Sequence, residues 1–551
     1  MESTTHSSCT RQREVPSTYS TDTLNLLRSG RAITSQEARI LESNMLEAKA
    51  EVESCDQELT RLEARIAALR ERRTDLEAGV RNANALLAPI RRLPPELVAR
   101  ICAFSLPHGW FTDCVTRRGP WKVLQLCHAW REVALSMHHC WAEFTLAELK
   151  KIMETDKAVD IVTTHLQRSA SLPLAVRIWP PADTRIQFRP DLKLFEVLEA
   201  LKPELHRIRV LHLRCGHGAA LPESLPMVEE IALGPFEREN GFLTVIPSNA
   251  THLRALDLVD WRMTNVACPW ASLRSLSITH YNHVQYFNGT LDALQQCTGL
   301  ETFALAVKYP NATVDHTDFL WSKFRNRPTV TLPSLHTLIA RDLAIYCVRW
   351  LLAPNLRTAE LDAVYKYEEG FGSGDYNIRE VGSDLRALLR PVSTLKLRLA
   401  MPQQQDPIDD LLQAPECLRS LHIRETVSSY FIRTWPPIFR HSLLQSLVYN
   451  PKDYKKRLPH LTELVLTNTD GCEKARTKLQ FGLQEAELIC QVVESRLEAD
   501  EGRSRIERLV VHCPNIECPR MFKAWITNLR KEGALKIDVD FDPRETKFSQ
   551  W

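Results

Sequence analysis

The sequence lacks most of what would mark an enzyme, a membrane protein or a nucleic-acid binder. None of its 15 cysteines forms a Cys-x-x-Cys pair. They are scattered and odd in number, and several sit in apolar runs, such as Cys102, Cys127 and Cys347. That usage argues for reduced thiols in the cytoplasm or nucleus. No apolar run approaches the length that spans a bilayer, and Met1 to Asn25 has no apolar core of the kind a signal peptide needs. Formal net charge is only +2 with a pI near 7.9, without the basic surplus expected of a nucleic-acid partner.

Catalytic signatures are missing as well. The sequence Gly370-Phe371-Gly372-Ser373-Gly374 has neither the Lys nor the strand-to-helix setting of a phosphate loop. There is no Gly-x-Ser-x-Gly elbow. Cys114, Cys127, His128, His138, His139 and Cys140 gather in sequence, but at a spacing that suits no common zinc site, and Cys513 and Cys518 are looser still. Asp409/Asp410 and Glu368/Glu369 read as surface carboxylates. The expectation is a chain without catalytic residues, metal or cofactor.

What is present is folded and modular. At 551 residues, 44% hydrophobic and 25% charged, the chain should hold several units. Residues 1–35 are rich in Ser, Thr and Arg and read as a disordered tail. Over 36–88 the pattern changes. Met45, Val52, Leu59, Ile66 and Val80 fall at heptad a, with Arg73 among them, and Leu41, Ala48, Leu62, Leu69 and Leu76 fall at d. A single helix with that seam open to water needs a partner. A coiled-coil homodimer is the first expectation, and a helix folded back on the rest of the chain is the other.

The next segment, 89–145, carries a motif. Leu93-Pro94-Pro95-Glu96-Leu97-Val98 runs on to Ile101 and Cys102, and Val123 leads to Cys127-His128-Ala129-Trp130-Arg131, with Trp141 beyond. Pro94 and Pro95 suit a first helical turn, and Glu96 suits the positive end of the helix dipole. Leu97, Ile101 and Phe104 recur at i, i+4 and i+7. These residues resemble the F-box, the adaptor-docking motif of ubiquitin-ligase substrate receptors. His128 departs from the usual Lys or Arg, and the insert from Pro107 to Pro120 is long, although it is similar to that of F-box proteins from mushroom-forming fungi. The resemblance implies that Leu93, Pro94, Leu97, Ile101, Val123, Cys127 and Trp130 bind a Skp-type adaptor.

A bridging region, 146–204, contains one alternating strand, Leu174 to Trp179. From 205 to 545 an apolar-x-x-apolar-x-apolar unit recurs, beginning Ile208/Leu211/Leu213, Val228/Ile231/Leu233, Leu253/Leu256/Leu258, Leu273/Leu276/Ile278 and Leu300/Phe303/Leu305. It continues through Leu335/Leu338/Ala340, Leu356/Ala359/Leu361, Val392/Leu395/Leu397, Leu418/Leu421/Ile423, Leu461/Leu464/Leu466 and Ile506/Leu509/Val511. Early spacings in the twenties match the leucine-rich-repeat period, and helix-like pieces lie between units at Leu291 to Cys297, Asp384 to Leu389 and Leu483 to Arg496. Tyr365 to Gly382 and Met401 to Asp410 read as inserted loops.

The expected fold class is therefore α/β: a long N-terminal coiled-coil helix, a small helical F-box, then a curved leucine-rich-repeat-like solenoid with parallel strands. The expected function is that of a substrate-receptor subunit of a cullin-RING (SCF-type) ubiquitin ligase. Its F-box would join the Skp-type adaptor and cullin complex, its repeats would hold an unidentified protein target, and no nucleic acid or membrane would be involved. The alternative is a coiled-coil and repeat scaffold outside ubiquitin transfer.

Overall fold

The structure is a computed structural model. It describes residues 21–105, 126–146, 157–178, 192–213, 221, 224–234, 244–247, 249–261, 263, 266–281, 287–308, 328–342, 344–363, 385–400, 412, 415–426, 439, 441–450, 458–470, 483–497, 504–513, 520–531 and 535–540. Residues 1–20, the insert from Pro107 to Pro120, Val123, and the expected loops Tyr365 to Gly382 and Met401 to Asp410 lie outside the described residues. The chain divides into two compact units, Met1–Leu97 and Val98–Trp551.

In the first unit a short helix, α1 (Thr21–Ser29), precedes α2 (Ser35–Leu87), a single helix of 53 residues. Its start is fixed by a reciprocal cap. The Glu37 amide donates to Thr34 Oγ1 at 3.3 Å, and the Thr34 amide donates to Glu37 Oε2 at 2.8 Å, so two orphan donors are satisfied at once. Arg31 Nη2 closes on Glu37 Oε1 at 2.6 Å. The Arg31 hydrogen bond, with those from Thr34, holds the Glu37 carboxyl down at about 2. The helix stops at Ala88, whose extended backbone is what a following proline demands. No residue of α2 is buried. Most of its a and d side chains stand open, Ile66 at 48% and Leu76 at 61% exposed among them, while Leu41 and Ala48 are half-buried.

The second unit is built on one 14-stranded sheet in which every neighbouring pair is parallel and strand order follows chain order. Its strands are β1 (Glu143–Leu146), β2 (Leu174–Ile178), β3 (Ile208–Leu213), β4 (Glu230–Leu233), β5 (Ala255–Val259), β6 (Ser275–Tyr281) and β7 (Thr302–Lys308). They continue as β8 (Thr337–Asp342), β9 (Thr358–Ala363), β10 (Thr394–Ala400), β11 (Ser420–Thr426), β12 (Glu463–Asp470), β13 (Arg508–His512) and β14 (Lys536–Asp540). Each apolar unit read from the sequence supplies one of them, from β3 to β13. The sheet also takes in β1 and β2 before the repeats, and β14 after them.

The repeat pattern works for a physical reason. The first apolar residue of a unit turns inward ahead of its strand, and the other two lie on the buried face of the strand, two residues apart. Leu300, Phe303 and Leu305 are all buried to within 1% of full, and so are Leu335, Leu338 and Ala340. Burial of each Leu or Phe contributes about 1.5–3 kcal/mol. Between those anchors the backbone steps up one rung. The amide of Glu301 donates to Arg274 O, that of His336 to Glu301 O, that of Arg357 to His336 O and that of Ser393 to Arg357 O, at 2.8–2.9 Å. No unit can bury its own apolar side, so stacking supplies the core, as in a leucine-rich-repeat-like solenoid. Helices Leu483–Glu494 and Arg520–Lys531 bury Ile489, Val493, Phe522 and Ile526 in the same core.

Candidate functional site: an apolar helix face and a polar sheet face

Helix α3 (Pro95–Ser105) is the start of the F-box-like segment. Its residues divide sharply between two faces. Val98 and Cys102 are 4% and 1% exposed, whereas Leu97, Ile101 and Phe104 are 44%, 40% and 83% exposed. These three occupy successive turns of one face, so α3 buries one apolar stripe and presents a second to water. Leu93 is half-buried and Pro94 exposed. Burial raises the Cys102 thiol. The Cys140 thiol is pushed up to about 11 by burial and then by the neighbouring Cys102, which places the inner face of α3 beside the segment around Cys140.

The second half of the motif forms α4 (His128–Ser136) and α5 (His138–Ala142). Cys127 caps α4 with an extended backbone, φ −164°, and its carbonyl accepts from the Arg131 amide at 3.0 Å. Cys127 is half-buried, Leu126 beside it exposed, and Trp130 and Ala134 turn inward. Trp141 is fully buried. Its Nε1 donates to Ala134 O at 3.0 Å, and the Arg168 guanidinium lies 4.5 Å from the ring centroid. His165 meets the same indole edge-on at 5.1 Å. Trp141 thus ties α5 to α6 (Lys157–Arg168).

Of the residues expected to meet an adaptor, Leu97 and Ile101 share the open stripe, Leu93 and Cys127 are half-covered, and Trp130 is already in the core. Val123 lies outside the described residues. Phe104 belongs to the open stripe too; its signal, the i+7 spacing from Leu97, was in the sequence.

A second surface is the polar face of the sheet. Register puts Ser275, Thr302, Thr337, Thr358, Thr394 and Ser420 side by side on six successive strands. Two residues further along come Glu360, Lys396 and His422, and beyond them Arg341, Asp362, Arg398 and Arg424. Arg341 pairs with Glu360 at 2.9 Å and Arg398 with Asp362 at 3.2 Å. Glu463 gathers several partners: Ser420 Oγ donates to its Oε2, and Arg508 Nη1 holds its Oε1 at 2.6 Å. Burial acts to raise that carboxyl, but the Ser420 hydrogen bond and the charges of His422 and Arg508 outweigh it and leave it below its ordinary value. His422, partly desolvated, is lowered despite Glu463. The result is a face of fixed charges and hydroxyls.

Among the described residues no group of His, Cys, Asp or Glu could hold a metal ion, and no helix is long and apolar enough to cross a membrane. No protein-family model and no curated protein matches the chain.

Proposed function

We propose that the chain is a substrate-receptor subunit of an SCF-type ubiquitin ligase. The open stripe of α3 docks on a Skp-type adaptor, which links the chain to a cullin. The polar face of the repeat sheet holds a protein target, and α2 pairs two copies. The chain performs no catalysis of its own. The observation that carries the reading is the two-faced α3: Val98 and Cys102 hold it in the fold while Leu97, Ile101 and Phe104 remain open, the first two at motif positions where the F-box resemblance implies adaptor contact. Covering such side chains contributes about 1.5–3 kcal/mol each, so losing one weakens binding tenfold or more.

The test is calorimetric titration of the full chain with a purified Skp-type adaptor, beside an Ile101→Asp/Phe104→Asp variant. Tight binding that the folded variant loses supports the reading. A folded wild type that ignores the adaptor leaves the scaffold alternative in its place.

A further inference from the structure

The direction in which two copies of α2 pair is written in its charge and its core, an inference that rests on the proposed pairing. The helix is continuous from Ser35 to Leu87, so one heptad register holds throughout. Charge is segregated along it. The first half carries Glu37, Glu42, Glu47, Glu51, Glu53, Asp56 and Glu58 against Arg39 and Lys49. The second half carries Arg61, Arg65, Arg70, Arg72, Arg73 and Arg81 against Glu63, Glu71, Asp75 and Glu77.

In a parallel, in-register pair each g residue meets the e residue of the next heptad on the partner. That sets Glu51 against Asp56, Glu58 against Glu63 and Arg65 against Arg70, all like-signed, with only Arg72 and Glu77 opposed in sign. The core fares no better. Arg73 would stack on Arg73 of the second copy, and Ala48 on Ala48, one layer repelling and the other underfilled.

We infer that α2 pairs with a second copy of itself in antiparallel orientation, centred between Leu59 and Leu62. Every a residue then faces a d residue: Met45 on Leu76, Val52 on Leu69, Leu59 on Leu62, Ile66 on Cys55 and Val80 on Leu41. Arg73 falls opposite Ala48, the smallest core residue, which leaves room for its stem to pass over the methyl group and its head to reach water. Arg73 Nε already holds Glu77 Oε1 at 2.8 Å, so that head carries a local counter-charge. On the g flank Glu51 meets Arg72 and Glu58 meets Arg65, each twice by symmetry. The e flank opposes it, since Glu42 meets Glu77, Lys49 meets Arg70 and Asp56 meets Glu63, all like-signed. The parallel pair, which also sets Glu37 against Glu42, still has more like-signed contacts and fewer opposed ones. The two Leu87 ends then lie about 80 Å apart, at 1.5 Å per residue.

The test uses the full chain. An equimolar mixture of isotopically light and heavy Ile66→Cys protein is treated with a short bis-maleimide, and cross-linked peptides are read by mass spectrometry, with sedimentation at the same concentration. The antiparallel pair gives light–heavy links between Cys55 and position 66, and none between two Cys55 residues, which lie about 16 Å apart along the axis. A dimer that links Cys55 to Cys55 instead overturns the orientation while leaving the pairing intact; a monomer removes the pairing itself. A second variant needs no cross-link. Glu51→Arg faces Arg72 in the antiparallel pair and weakens dimerisation about fivefold, as two surface ion pairs are lost; in a parallel pair it faces Asp56 and tightens it, which would overturn the proposal.

Discussion

His165 Nδ1 donates to the carbonyl of Trp141 at 3.2 Å, inside the joint between α5 and α6. A carbonyl only accepts, so this nitrogen carries the proton of a neutral ring. Burial is the main force on its titration and lowers it to about 4, with the Arg168 charge acting in the same sense and the Trp141 hydrogen bond opposing. Unfolded, the imidazole titrates near its ordinary 6.5. Between those values the unfolded chain binds the extra proton. The contribution of His165 to stability is therefore complete above about pH 6.5 and is lost as pH falls toward 4. The loss is on the order of 3 kcal/mol. Denaturant unfolding at pH 7, 5.5 and 4.5 should show it, and His165→Gln should flatten the slope relative to wild type. Equal slopes in the two proteins would contradict the assignment.

Arg496 fastens the far part of the repeat unit. It is fully buried, with Nη1 donating to Leu458 O at 2.7 Å and Nε and Nη2 donating to Leu447 O at 3.3 and 3.2 Å. Tyr449 covers the guanidinium at 5.5 Å. Arg496→Met keeps the stem but leaves two buried carbonyls without those donors, and should cost about 2–4 kcal/mol. Arg496→Lys recovers only part, because one ammonium cannot reproduce a planar fork. Urea midpoints of the three proteins should rank wild type, Lys, Met; a Met variant as stable as wild type would mean the fork is dispensable.

The two faces of α3 predict opposite mutational behaviour. Val98→Ala removes buried methyl groups and should destabilise the fold by about 1–3 kcal/mol. Ile101→Ala and Phe104→Ser act on exposed side chains and should shift stability by no more than about 0.5 kcal/mol. Thermal unfolding of the single variants distinguishes the two sets. If Phe104→Ser melted like Val98→Ala, the open stripe would belong to the core.

The parts that were legible in the sequence are those governed by local periodicity. The apolar-x-x-apolar-x-apolar unit fixes both an inward turn and an alternating strand, so Leu421 and Ile423 could be placed on the buried side of β11 before their neighbours were known. The heptad of α2 was legible for the same reason, whereas the cap that Thr34 and Glu37 form at its start came only with the structure. Long-range placement was not. β1 has four residues, too few to show a period, and it joins the sheet only because β2 pairs with it. The pairs Thr244–Val245 with Val266–Ala267 and Val330–Thr331 with Leu351–Leu352 are shorter still. Trp141 was visible as the end of a motif, but its contacts with His165 and Arg168 come from a helix more than twenty residues on. The open face of α3 needed the burial of Val98 and Cys102 to distinguish it from the other, since both faces are apolar.

Thiol reactivity joins the fold to the pairing of α2. Burial pushes the thiols of Cys297 and Cys490 up to about 12 and that of Cys140 to about 11, so at pH 8 they present almost no thiolate, and Cys140 and Cys297 are buried besides, with Cys490 half-buried. Cys55 and Cys417 are exposed. Iodoacetamide at pH 8 should therefore modify Cys55 and Cys417 well before those three. Cys55 lies at a d position of the α2 seam, and Cys417 lies on the repeat unit ahead of β11. Pairing of α2 covers the first and leaves the second unchanged. At nanomolar chain concentration the two should alkylate at comparable rates; as concentration rises through the dimerisation range, Cys55 should slow at least several-fold while Cys417 does not. A Cys55 rate that stayed constant to tens of micromolar would mean that no second copy closes over the seam, whichever way it runs.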